Sequence, residues 1–270
     1  MNEQAVVVFM AGGRSYTAVD VRAALRVAGV HEGSDVFVHA DLQSLGKIGE
    51  VRSREAFAQI FIDVLSDAVG EAGTLIMPTF TYSFCRDEVY DPQRSPSRVG
   101  LLGEQFRQLP GVVRSRDPIF SVAAHGARQA YYTAVGEDCF GEQSVFAKLY
   151  QRDATFIFIG ETFDMTYLHY VEQRVGVSYR YRQRFSGFVR GETLIPAIAI
   201  YFVRPQDGSV RYDLNALRYY LERRGVVQSV PLGASFVRGA RAQPVYANLA
   251  EELRRDERFL LNVGVYAPAG

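Results

Sequence analysis

A chain of 270 residues, 48% hydrophobic and 22% charged, is long enough to bury a substantial core and too apolar for disorder. Lys+Arg and Asp+Glu balance at 30 each, which excludes an overall field that would recruit nucleic acid or an anionic membrane. The two cysteines, Cys85 and Cys139, match no metal-ligand spacing; two reduced thiols in a cytoplasmic, soluble protein are expected.

In chain order, MNEQAVVVFMAGGRS lacks a basic leader and reads as a strand or ordered arm rather than a signal peptide. Residues 17–28 have helical apolar spacing with Thr17 at the start, and DVFVHADL (35–42) is a strand running into a loop. Residues 54–69 form an amphipathic helix stopped by Gly70, followed by the continuous apolar strand TLIMPTF at 74–80. Alternation of helix and strand over this length predicts α/β architecture with parallel pairing. A long loop covers 81–100; LLGEQFRQL is a helix, SVAAHG a strand, SVFAKLYQRD a helix and TFIFIG a strand ending at Gly160. From 182 to about 243 the pattern turns β-rich, with helices at 214–223 and 245–255. The expectation is one α/β domain over 1–270 with a mixed, largely parallel central sheet flanked by helices. The longest uncharged apolar run, 193–203, falls far short of the ~20 residues of a membrane span.

Most familiar catalytic motifs are absent. The sequence holds no G-x-S-x-G, no phosphate-cradling G-x-x-x-x-G-K-[ST] or G-x-G-x-x-G, and no H-E-x-x-H, so no metal is expected. What remains is one of only four histidines, His169, just beyond the strand 155–159 and in helical register with Glu172.

Five segments in order carry a family resemblance. GSDVFVHADLQSLG (33–46) resembles "GD-x-V-x-VHaSLraLG", and GEAGTLIMPTFTY (70–82) resembles "GpeGTLvmPTfT". LLGEQFRQLPGVVRSRDPIFSVAAHG (101–126), GEQSVFAKLYQRDATFIFIG (141–160) and TYLHYVE (166–172) have counterparts of matching order and spacing. The chain over roughly 17–180 thus resembles the aminoglycoside 3-N-acetyltransferase (antibiotic N-acetyltransferase) family. The resemblance implies a fold distinct from the common acetyltransferase fold, acetyl-CoA as donor and a primary amine of an amino sugar as acceptor.

Carried over by position, the resemblance makes His169 the catalytic base. Glu172 is the local carboxylate to orient it and Glu142 the long-range alternative, with Asp213 weaker; Thr79 is a candidate oxyanion donor. His39, Ala40, Asp41, Leu42, Pro78 and Ser121 fall at donor-binding positions, while Asp164, Thr166, Tyr181 and Arg182 are candidates for the acceptor. Asp41 stands where a CoA-contacting serine is usual, and Asp117 where a second histidine is usual, with His125 a candidate replacement. The neutral composition and the arginines at 174, 180, 182 and 184 favour an amino-sugar nucleotide for surface polysaccharide as acceptor. The alternatives are an aminoglycoside antibiotic and a non-catalytic CoA- or sugar-binding homologue; a homodimer is compatible with the sequence.

Overall fold

The computed structural model describes residues 6–266; the first five residues of the N-terminal arm lie outside them. The strands are β1 Phe9–Ala11, β2 Arg14–Tyr16, β3 Asp35–Ala40, β4 Lys47–Ile48, β5 Thr74–Pro78, β6 Val113–Arg114, β7 Val122–Gly126, β8 Thr155–Ile159, β9 Tyr181–Arg190, β10 Leu194–Val203, β11 Val227–Leu232 and β12 Ser235–Arg241. The helices are α1 Ala18–Val27, α2 Arg54–Val69, α3 Leu101–Phe106, α4 Gln129–Thr133, α5 Val145–Gln151, α6 Leu168–Val175, α7 Leu214–Arg223, α8 Ala242–Arg255 and α9 Phe259–Tyr266. No helix among the described residues is long and apolar enough to cross a membrane.

The main sheet runs β11-β12-β8-β3-β5-β7-β6. Its centre is parallel, β3 pairing with both β5 and β8, and antiparallel strands extend it on both flanks. The parallel pairing expected for 35–42 and 74–80 is therefore observed, while the flanks make the sheet mixed. Alternation of side chains gives each central strand two buried faces. Phe37, Ile76, Phe156 and Phe158 point into one core, with α4 through α9. Val36, Val38, Leu75, Met77, Ile157 and Ile159 point into the other, against α1, α2 and α3. Burial on both faces is why these strands read as continuous apolar runs rather than alternating ones.

The β-rich part divides in two. Strands β11 and β12 join the main sheet, whereas β9 and β10 form a separate antiparallel hairpin with Tyr181 opposite Val203 and Arg190 opposite Leu194. A small third sheet joins β1, within the stretch expected to be a strand or ordered arm, to β2 and β4, whose three and two residues are too short to show in the pattern.

Strand β3 is a point where chain connections diverge: its neighbour on one side is β5 and on the other β8. The carboxyl ends of these parallel strands open a crevice, the usual place for chemistry in open α/β sheets. Gly160 ends β8 there with φ +92°, and a Cβ on it would lie 2.1 Å from the Asp41 carbonyl oxygen and 2.5 Å from Ser44 Oγ. Gly160→Ala is expected to lose about 2–4 kcal/mol of stability in urea unfolding, from left-handed strain plus overpacking. A loss below about 0.5 kcal/mol, the level of a neutral surface change, contradicts that reading of the crevice floor.

Candidate active site

The crevice holds a cleft of about 830 Å³ lined by His39 and Ala40 of β3 with Asp41 just after it, Pro78 of β5 with Phe80 just after it, and Glu161, Asp164 and Thr166 beyond β8. A second cleft of about 750 Å³ is walled by Tyr181, Gln183 and Phe185 of β9, Tyr201 and Val203 of β10, and Arg204 and Arg211. Both are of ligand-binding size. They share one wall residue, Tyr82. The first cleft is locally acidic, with Asp41, Glu161 and Asp164 against Arg98, which the neutral composition concealed.

His169 stands in the first turn of α6, three residues beyond Thr166 in the cleft wall. Its side chain is 16% exposed and lines neither cleft itself. Its ring packs edge-on against Phe140 at 5.6 Å between centroids and tilts against Tyr212 at 5.7 Å. Nδ1 lies 2.8 Å from Glu172 Oε2, the helical spacing that the sequence announces. That contact assigns the proton to Nδ1 and leaves the Nε2 lone pair free to take another. Arg180 Nη2 lies 3.5 Å from Nε2, too long for a strong hydrogen bond.

Glu172 is fully buried, and a bare carboxylate in that position would be costly. Its two oxygens are saturated instead. Tyr179 and Tyr212 each donate a hydroxyl to Oε1 at 2.7 Å, and Arg180 Nε lies 3.1 Å from Oε2 beside the His169 contact. Arg180 is itself buried and donates to Tyr212 Oη and to the Phe202 carbonyl on β10. Burial alone pushes the Glu172 pKa up, but the hydrogen bond and charge of His169, the charge of Arg180 and the Tyr179 hydroxyl outweigh it and hold the group ionised below its ordinary 4.5. For His169, burial dominates and the Arg180 charge adds to it; together they exceed the pull of Glu172 and keep the pKa below 6.5.

The other sequence candidates divide. His39, Ala40, Asp41, Pro78, Asp164 and Thr166 line the first cleft and Tyr181 the second. His39 stacks on Phe158 at 5.5 Å, and burial, partly opposed by Asp164, lowers its pKa to about 4. Leu42 lines an adjoining hollow with Asp41, Gln43 and Arg54 instead. Thr79 and Ser121 are corrections: both are fully buried and committed to each other, Thr79 Oγ1 donating to the Ser121 carbonyl at 3.0 Å and Ser121 Oγ to the Thr79 carbonyl at 2.7 Å. A hydroxyl after a strand end turned inward rather than toward the cleft. Glu142 is also corrected, its side chain 86% exposed and 3.6 Å from Arg174, with no contact to His169. Asp213 caps α7 through the Ala216 amide.

Arg182 pairs with Asp138 outside both clefts. With Arg180 buried and Arg174 and Arg182 each bound to a carboxylate, the arginines at 174–184 form no phosphate cradle. His125, opposite Leu75 near the start of β5, sits at the far end of the sheet and replaces nothing in the crevice. Asp117 accepts hydrogen bonds from the Ile119 and Phe120 amides, an internal cap. Cys85 and Cys139 are free thiols. Among the described residues no group of three or more His, Cys, Asp or Glu is placed to hold a metal ion.

Depressed histidines have a consequence for folding. Above pH 6.5 neither His39 nor His169 carries a proton in the folded or the unfolded chain, and their contribution to stability is complete. As pH falls through 6.5 the unfolded chain binds protons first, so stability drops, continuing for His39 to about pH 4. Unfolding free energy is expected to be lower at pH 5 than at pH 7, with His39→Gln flattening the dependence; a flat wild-type profile contradicts these environments.

A model of the family described as aminoglycoside 3-N-acetyltransferase matches residues 37–254. The chain belongs to that family. It is accordingly an acyl-CoA-dependent N-acetyltransferase by class. Aminoglycoside N(3)-acetyltransferase IV of Salmonella sp is 26% identical over 238 residues, 87% of this chain and 86% of the relative. The SPbeta prophage-derived aminoglycoside N(3')-acetyltransferase-like protein YokD of Bacillus subtilis is 28% identical over 176 residues, 56% of this chain and 62% of the relative. Among solved structures, the fold matches AAC-IIIb in binary complex with CoASH at TM-score 0.76 and 23% identity, covering 89% of this chain and 97% of that one. It also matches AAC-VIa bound to sisomicin at TM-score 0.76 and 22% identity, covering 89% and 98%. The family match and the relatives overturn the nucleotide-sugar acceptor favoured from the arginine run and put the aminoglycoside alternative in its place.

Sequence reading missed Tyr179, Arg180 and Tyr212 as supports of the histidine–carboxylate pair. Tyr179 and Arg180 stand in the run YRYRQRF, whose arginines pointed to phosphates of an acceptor, and Tyr212 joins only through the tertiary fold.

Proposed function

We propose that this chain transfers the acetyl group of acetyl-CoA to a primary amine of an aminoglycoside, with His169 as general base and Glu172 as its orienting carboxylate. The observation that carries the proposal is the largely buried His169–Glu172 pair, held at 2.8 Å in the first turns of α6, three residues beyond Thr166 of the first cleft's wall. His39, Ala40, Asp41 and Pro78 lie where the donor's thioester arm is proposed to run. The tyrosine-rich second cleft suits the faces of sugar rings. Asp164 and Glu161, across the junction, suit ammonium groups of a polycation. A cytoplasmic setting goes with acetyl-CoA as donor.

An amine near pH 7 is mostly protonated and must lose a proton to attack. Once the ammonium has released one proton to solvent, neutral His169 Nε2 takes a second from the nitrogen as it bonds to the thioester carbon, and Glu172 steadies the imidazolium through Nδ1–H. The same proton then serves the departing thiolate, so no covalent enzyme intermediate is needed. The test is CoA release from acetyl-CoA with a panel of aminoglycosides, product position being read by NMR. Turnover with acylation of one amino group supports the proposal; no turnover with any member, from a folded protein that binds CoA, overturns the acceptor.

A further inference from the structure

Tyr82 occupies a backbone conformation that its residue type rarely adopts. Its φ is +52°, in the left-handed region, where a bulky side chain is an outlier that the surrounding fold must hold in place. The fold does so on both sides. The Tyr82 amide donates to the Ile119 carbonyl, and the Ser83 amide donates to the Pro118 carbonyl at 2.9 Å. The ring packs edge-on against Phe80 and Phe120, at 6.3 and 5.5 Å between centroids.

This imposed turn delivers the phenol to the wall shared by the two clefts. Its electrostatic neighbours come from both sides, Asp164 from the first cleft and Tyr201 and Cys85 from the second. Every other tyrosine or threonine of the two clefts is committed or lies on one side only, whereas the Tyr82 hydroxyl has no hydrogen-bond partner among the described residues. Thr79, the candidate donor in the sequence, is spent on Ser121 and Arg114. Burial, with added repulsion from Tyr201, Cys85 and Asp164, raises the phenol's pKa, so it remains a donor throughout the working range.

We propose that Tyr82 is a catalytic residue whose hydroxyl donates a hydrogen bond to the carbonyl oxygen of the acetyl thioester as that oxygen becomes an oxyanion. The inference rests on the donor and acceptor assignment of the two clefts given above. In the step, the amine lone pair forms the nitrogen–carbon bond while the carbonyl π pair moves onto oxygen. That oxygen accepts the hydrogen bond from Tyr82 without taking its proton, and His169 removes a proton from nitrogen. The oxygen pair then re-forms the carbonyl, the carbon–sulfur bond breaks, and the thiolate leaves with its electron pair and receives the proton from His169. The products are the amide and CoA thiol, with Tyr82 unchanged. A left-handed residue suits this task because the strain fixes the hydroxyl before substrate arrives.

The test is Tyr82→Phe, which keeps the ring contacts and removes only the hydroxyl, assayed beside wild type and Tyr82→Gly. Glycine accepts the positive φ without strain, so it supplies a folded variant lacking the phenol if phenylalanine misbehaves. Kcat is expected to fall about 10²- to 10³-fold in the phenylalanine variant, the loss typical of one oxyanion donor, with its KM for donor and acceptor and calorimetric Kd for CoA within about twofold, and to fall at least as far in the glycine variant. Kcat within about twofold of wild type overturns the inference. So does a loss carried by KM or by the CoA Kd alone, which would make the phenol a binding group rather than a transition-state donor. Failure of the cleft assignment is separable, because wild type itself then binds no CoA, and the inference falls with it.

Discussion

His169→Ala is expected to lower kcat by between about 10²- and 10⁴-fold, the range for a positioned general base, while CoA affinity measured by calorimetry stays near that of wild type. The residues that line the first cleft, where the donor is proposed to run, stay in place in this variant, so the loss is expected in proton transfer and not in CoA binding. The pH profile adds a sign. Burial and Arg180 hold the imidazole below its ordinary 6.5, so it is already unprotonated at neutrality. The acid limb that His169 contributes to kcat/KM should therefore fall below pH 6.5, and a rise continuing above pH 7 belongs to deprotonation of the acceptor amine. Retained turnover in the alanine variant removes His169 from the role of base.

Glu172→Ala is expected to be the most damaging single change in the chain. The carboxylate is the common acceptor for Tyr179, Tyr212, Arg180 and His169, so removing it strands a buried guanidinium and the hydroxyls of two half-buried tyrosines. Breaking one side of a buried ion pair costs about 3–5 kcal/mol, enough to consume much of the stability of a domain. Glu172→Gln keeps the shape and separates folding from chemistry. It is expected to fold better than the alanine variant and to lose activity regardless, since an amide cannot stabilise an imidazolium as a carboxylate does. Melting temperatures and kcat measured together decide the matter. A glutamine variant with wild-type kcat leaves Glu172 a purely structural anchor. The folded carboxylate titrates below its ordinary 4.5, so its contribution to stability is full above pH 4.5 and lost as pH falls through the lower folded value.

The central elements were legible because they obey simple periods. The helix expected over 54–69 is observed over those residues, and the strands expected over 35–42, 74–80 and from 155 are observed at 35–40, 74–78 and 155–159. His169 and Glu172 were legible for a related reason: three residues on a helix is a spatial statement as much as a sequential one. What could not be read depends on distance in the chain. Arg180 carries the residue type of a solvated surface and is buried because Glu172 waits for it. The acidity of the first cleft arises because β3 and β8 are parallel neighbours, which brings Asp41 together with Glu161 and Asp164 from more than a hundred residues away. Composition averages such a cluster to zero. Thr79 and Ser121 failed in the opposite sense, since a strand's final hydroxyl has two directions to turn and the sequence does not say which.

The hairpin β9–β10 makes the second cleft unusually sensitive to the parity of its length. Tyr181, Gln183 and Phe185 are alternate residues facing the cleft, across from Val203, Tyr201 and Ala199, while Arg182 and Arg184 occupy the intervening positions. An inserted or deleted residue near 186 would turn the arginines inward and the aromatic walls outward, and would pull Phe202 away from the guanidinium it anchors. Lengthening the bend at 191–193, beyond the last paired positions, leaves that frame untouched. Natural or laboratory variation in this enzyme should accordingly accumulate at the bend, with odd-numbered indels in the strands appearing only in inactive copies.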